Sequence, residues 1–381
     1  DKRAGDGAVR KELCSGCRSA SAGESEGETE GRIGKGSGSL SMKETLKEKK
    51  MMDMEKLEAL QNLKAEFWDG KYKVESEDGK IDFKPFFFNE EGIPIAIKRA
   101  LGDFTDRTER LNPKSGYKSF GVEEKFEVLC GTDGEKHEEP EKGSFVQEFI
   151  DYFFHNDGKN MGKEEFDEWH HNRCKQFLEV IGPKYRGELK YGKAQKVVNM
   201  TFKNAYCLPE CENSGLNNSG EFYTHCHMPL DSFTLEWIGR AQKWVGQQKD
   251  AIKSKNGVYL RKSRIPSWSS MNYEEDSKKY YGYKEIQDVI FTYFEENILK
   301  NPSTKYLKGY TPLQAEFFVW KYMKFELAAE QFYNQCLSFI EVDDKTKNEQ
   351  NEFKGKTINK KLECLQEKLK DIEIYKVPEE V

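Results

Sequence analysis

No apolar run in this chain comes near the roughly 20 residues that a membrane-crossing helix needs. The longest candidate, PFFFNEEGIPIAI, is broken by charge and proline, so no membrane partner is expected. The N-terminus has no apolar centre of the kind a secretory signal carries. Signature motifs are missing too. There is no HExxH and no glycine-rich phosphate loop closing on Lys-Ser/Thr. No repeat of solenoid period is present either. The nine cysteines are odd in number and scattered through a long chain, which points to reduced thiols and a cytoplasmic setting rather than a disulfide framework. Cys14 and Cys17 have metal-type spacing but lack a second pair nearby, and structural zinc wants four ligands.

What is present divides along the chain. Residues 1–43 are rich in Gly, Ser and Glu (SASAGESEGETEGRIGKGSGSLS) and nearly free of large apolar side chains. Such a leader cannot bury enough surface to offset its ordering entropy and is expected to be disordered. No methionine precedes Met42, which leaves open whether residues 1–41 are native. A small α+β portion is expected over 44–143. It contains an amphipathic helix through Met54, Leu57, Leu60 and Phe67, and one β-hairpin in which Tyr72 and Val74 alternate, Asp78-Gly79 turns, and Ile81 and Phe83 return. Pro85 and Pro94 read as punctuation, and 102–143 shows little periodicity.

From Ser144 onward the pattern is helical, and the fold class is mainly α, with about six to eight helices in the helical domain over 144–345. Expected helices begin at Ser144 and run over about 163–181, 193–208, 231–254, 283–299 and 312–339. The second stops at Gly182-Pro183, and the last opens with Thr311 as N-cap, Pro312 at the first helical position and Gln314 closing the box. That last helix carries Phe317, Phe318, Trp320, Met323, Phe325 and Leu327 nearly all round, so it should be buried centrally. Over 346–381, Ile358, Leu362, Leu365, Leu369 and Ile372 step by four and three. Two heptads are too few for an independent coiled coil, so a helix docked on its own domain is expected.

Three groups of residues carry chemistry. His225, His227 and Asp231 lie within seven residues. An extended backbone turns residues i and i+2 the same way, and a following carboxylate could complete a site for a divalent ion such as zinc, whose bound water would hydrolyse a substrate. Cys207 and Cys211 with the two histidines form an alternative zinc set. Asp231 also sits where a helix N-cap is expected. The second group is basic. Arg240, Lys243, Arg261, Lys262 and Arg264 belong to a stretch whose single acid is Asp250, and Lys193 and Lys196 precede it on another helix. With Tyr259 and Trp268 beside them, these cations suit single-stranded nucleic acid or a nucleotide. The third is WHHNRC, where His170 and His171 diverge by about 100° on a helix and Cys174 is a candidate nucleophile.

Three functions follow. The leading one is a cytoplasmic helical protein binding an anionic partner through Lys193, Lys196, Arg240, Lys243, Arg261, Lys262 and Arg264. The others are a metal-dependent hydrolase or nuclease at His225, His227 and Asp231, and a scaffold that uses the aromatic helices and the C-terminal heptads.

Overall fold

The computed structural model describes residues 54–68, 71–75, 81–104, 121–131, 139–155, 158–185, 188–210, 216–246, 260, 262–274, 279–298 and 304–338. The expected leader and the 346–381 helix lie outside them. Among the described residues there are nine helices: α1 (54–67), α2 (Gly92–Asp103), α3 (Val122–Leu129), α4 (Phe145–Ile150), α5 (Lys163–Ile181), α6 (Tyr191–Cys207), α7 (Ser232–Gly246), α8 (Tyr283–Thr292) and α9 (Pro312–Ser338). Strands β1 (Lys71–Glu75) and β2 (Ile81–Pro85) pair antiparallel between α1 and α2. The chain is mainly helical, and no described helix is long and apolar enough to cross a membrane.

α6 is the axis of the fold. Every residue in it except Lys193 and Lys196 is buried, with α2 and α5 packed along it. With so little of it left to solvent, its polar side chains must find partners inside the protein. Its ends are handled without conventional caps. At the start, Gly192 N donates to Met271 O at 2.9 Å. A Cβ on Gly192 would lie 1.6 Å from Trp268 O, so only glycine permits this approach. At the end, Pro209 follows the extended Leu208, and the Asn218 amide donates to Ala205 O (3.0 Å) and Leu208 O (2.9 Å). These bonds satisfy carbonyls that a helix terminus leaves orphaned.

Aromatic packing fixes the neighbours. The Phe202 ring lies 5.2–5.8 Å from those of Phe149, Tyr152, Phe153, Phe166 and Trp169, which come from α4, its continuation and α5. Each such pair adds about 0.5–1.5 kcal/mol beyond burial. α4 starts where Ser144 Oγ accepts from Gln147 N and passes into a π turn over Asp151–His155. That wider turn brings Tyr152 and Phe153 inward together.

Three parts of the fold differ from expectation. Pro94 does not break the chain. It occupies the first turn of α2, where an N–H has no partner to lose, and Ile93, Ala96, Ile97, Ala100 and Leu101 are buried. α3 lies in the stretch that looked aperiodic, because eight residues are too few to show a period. α9 begins as expected, with Gln314 N donating to Thr311 Oγ1 and Thr311 N to Gln314 Oε1. It is not buried all round, however. Val319 and Met323 are enclosed, while Phe318 and Tyr322 are half-buried and Phe325 is 57% exposed.

Replacing Phe202 with Ala should cost about 3–5 kcal/mol in urea unfolding, the range for a large aromatic in a closed core. Leu57→Ala, on the outer side of α1, should stay within about 0.5 kcal/mol of the parent. Equal effects would show that the Phe202 cluster is not the core.

Candidate functional site

The polar residues on α6 determine the site. Gln195, Asn199 and Lys203 recur every four residues, which stacks them along one flank of an otherwise apolar helix. Burial obliges each to find a partner, and the partners come from distant parts of the chain.

Asn199 stands at the centre. Its Oδ1 lies 2.8 Å from His170 Nε2, and its amide nitrogen donates to Gln195 Oε1 (2.8 Å) and to the Tyr283 hydroxyl (2.9 Å). Tyr283, the first residue of α8, lies 2.8 Å from His227 Nδ1, and His227 Nε2 lies 2.8 Å from Asp167 Oδ1 on α5. The direction of each bond follows from the last acceptor. Asp167 as a carboxylate only accepts, so His227 carries its proton on Nε2 and takes the Tyr283 O–H proton at Nδ1. The tyrosine oxygen is then free to accept from Asn199, whose Oδ1 takes the proton of His170 Nε2. The four bonds that run from His170 through Asn199, Tyr283 and His227 all point toward Asp167, an arrangement in which each polarises the next. Gln195 closes the inner end by donating to Gly192 O and Leu230 O.

The electrostatics agree with this assignment. Burial pushes His170 well below its ordinary value and lowers His227 despite Asp167 beside it, so both rings are neutral. Burial works against Asp167, but the His227 hydrogen bond and the Lys163 ammonium hold its carboxyl at about 2. Cys174 Sγ lies 3.8 Å and 4.0 Å from the two nitrogens of His170. With the ring proton on Nε2, the nearer nitrogen, Nδ1, is the one that carries the lone pair, and burial keeps Cys174 a thiol. His171 turns the other way, to stack on Tyr273 at 3.7 Å.

A second buried centre lies further along α6. Lys203 and Glu316 of α9 form an ion pair with side chains 2% and 1% exposed. The ammonium stands 4.1 Å from the Phe67 ring and 4.6 Å from that of Phe317, which adds cation–π attraction in a dry setting. Burial raises the Glu316 pKa against the pull of Lys203.

The residues singled out in the sequence are distributed as follows. Asp231 caps α7, with Oδ1 accepting from Phe233 N (2.9 Å) and Thr234 N (3.0 Å) and Oδ2 from Lys196 (2.9 Å). His227 has both nitrogens in the buried network. His225 is half-buried near Lys163 and Asp167, and burial lowers its pKa. Among the described residues, no group of three or more His, Cys, Asp or Glu could hold a metal ion. Cys211 lies outside the described residues, and Cys207 is buried. Among the cations, Lys193 donates to the Tyr185 hydroxyl, and Lys196 pairs with Asp231. Arg240 forks onto Glu330 (2.9 and 3.0 Å) and reaches Glu236 (2.9 Å). Arg264 lies 4.3 Å over the Tyr281 ring. The side chains of Lys243 and Lys262, and Arg261 entirely, lie outside the described residues.

Sequence reasoning missed Asp167, Tyr283, Asn199 and the Lys203–Glu316 pair. The one available signal was the four-residue recurrence of Gln195, Asn199 and Lys203.

Acid should unlock the network. A histidine whose folded pKa is depressed binds its proton first in the unfolded chain, so stability falls as pH drops below the ordinary value of 6.5. His171 and His225 are lowered too and act the same way, whereas exposed His155 is raised by its Asp151 hydrogen bond and opposes them. Asp167 adds a lower window. Its contribution is present above 3.8 and is lost as pH falls toward about 2. The urea midpoint should therefore decline from about pH 7 to about pH 5, with a shallower decline in His227→Gln. A flat profile would contradict the neutral assignment. No protein-family model, no curated protein and no solved structure matches this chain.

Proposed function

We propose that the chain binds single-stranded nucleic acid through the basic run that follows the middle of α7. The reading is carried by where the nearby acids go. Glu236 and Glu330 both hydrogen-bond Arg240, and Glu326 Oε2 lies 3.8 Å from the same guanidinium. Those carboxylates are engaged by a residue at the edge of the run. Beyond it, Lys243, Lys249, Lys253, Lys255, Arg261 and Lys262 have only Asp250 opposed to them in sequence. Tyr259 and Trp268 sit beside this charge in the sequence, and stacking rings with cations form the general chemistry of single-strand binding.

Internal pairing narrows the cation set. Lys196 and Arg240 serve ion pairs within the protein, and Lys193 serves Tyr185, so positioning is their role. Phosphate then falls to Lys243, Arg261 and Lys262 and to the lysines between them. Such binding is electrostatic and independent of base sequence, and it loosens as salt rises because counterions are released.

A labelled oligothymidylate titrated against the full chain at several salt concentrations tests this. Binding at low salt should weaken log-linearly with salt. The variant Lys255→Glu, Arg261→Glu, Lys262→Glu should bind more weakly, with the slope reduced by roughly 0.7 for each phosphate that is no longer neutralised. Absence of binding in the parent at low salt, or an unchanged slope in the variant, would sink the reading.

A further inference from the structure

We infer that residues 358–372 of this chain pack antiparallel along the outer seam of α9, covering Phe318, Tyr322 and Phe325. α9 is a continuous helix over Pro312–Ser338, and two of its sides have partners. Toward α7, Val319 and Met323 are buried and Glu330 meets Arg240. Toward α1, Phe317 meets Phe67 edge-on at 5.5 Å and Lys321 pairs with Glu66. The third side is aromatic and open. Phe318 meets Tyr310 at 4.8 Å, Tyr322 is half-buried, and Phe325 is 57% exposed. An exposed phenylalanine of that extent, aligned with two further aromatics, marks a surface that something covers.

The period identifies the occupant. Phe318, Tyr322, Phe325, Ala329 and Phe332 step along α9 by four, three, four and three. Ile358, Leu362, Leu365, Leu369 and Ile372 take the same steps. A 4-3 spacing keeps an apolar seam facing a partner helix of equal period. The two seams also match in length, each about 21 Å at ~1.5 Å per residue. Two heptads are too short to hold together alone, but a helix laid on an existing aromatic stripe gains its stability from that surface.

Chain length favours the antiparallel direction. About 19 residues, 339–357, separate the helix from the second seam, and a flexible chain of that length has an r.m.s. span of roughly 24 Å. An antiparallel return places Ile358 beside Phe332, about 9 Å back along the helix from where α9 ends. A parallel arrangement would require Ile358 to reach Phe318, about 30 Å back along the helix. Tethering also favours the chain's own segment over a second copy, because a short linker supplies an effective concentration on the order of millimolar. In the antiparallel register Phe325 faces Leu365.

Hydrogen exchange on the full chain reads the docking. Amides of 358–372 should exchange at least about ten-fold more slowly than unstructured chain. Phe325→Glu should abolish that protection while α6 stays protected, which separates loss of docking from loss of fold. Location is read independently by mild oxidation of Phe325→Cys with Leu365→Cys, where mapping should find this pair linked and Phe318→Cys with Leu365→Cys not linked. Exchange of 358–372 at unstructured rates in the parent, protection that survives Phe325→Glu, or protection that grows with protein concentration would each overturn the inference, the last in favour of a second copy.

Discussion

The burial of α6 is the constraint from which the rest of the structure follows. A helix enclosed on all sides contributes most when it is apolar, yet this one takes Gln195, Asn199, Lys203 and Asn204 out of water. An unpaired buried amide costs about 1–3 kcal/mol and an unpaired ammonium more. Each polar side chain therefore dictates what must stand opposite it. Asn199 requires the start of α8 and the inner face of α5, Gln195 requires the backbone at Leu230, Lys203 requires the first turns of α9, and Asn204 donates to Ala96 O of α2. The hydrophobic effect supplies most of the driving force but is non-directional. The hydrogen bonds choose among the many ways of packing these helices.

The same constraint explains why residues usually associated with chemistry are found in structural roles. His227 and Asp231 look reactive in sequence because imidazoles and carboxylates are the common catalytic groups. In the fold, the two nitrogens of the first and the two oxygens of the second all have protein partners. Satisfied on every atom, they fix one geometry for the loop that enters α7. The basic residues divide in the same manner. Those nearest the core are paired internally, Lys196 with Asp231 and Arg240 with Glu236 and Glu330.

Legibility of the sequence followed the range of the interactions. α5 runs over Lys163–Ile181 as its period and its Gly182-Pro183 stop imply, and the Thr311/Gln314 box opens α9, because capping and periodicity are local. α2 was hidden by Pro94, which is harmless in a first turn, and α3 by its length. The openness of Phe325 could not be read, since an apolar helix pattern does not say which of its sides a neighbour will cover. Asp167 and His227 are 60 residues apart, and His227 and Tyr283 are 56 apart. Nothing in periodicity or spacing links such residues. Asp231 as an N-cap was legible because a cap needs only its own next three residues. Its second bond, to Lys196, was not.

If the polar residues of α6 are coupled parts of one network, the Asn199–Tyr283 hydrogen bond is where the coupling can be measured most directly. A double-mutant cycle with Asn199→Leu, Tyr283→Phe and the pair, read by urea unfolding of the full chain, isolates that bond from the rest of each side chain. Coupling predicts that the pair is less destabilised than the sum of the singles by about 1 kcal/mol or more, because each single leaves the other group orphaned in the core. Strict additivity, within about 0.3 kcal/mol, would show that the two residues do not depend on each other and that packing alone sets the arrangement around α6.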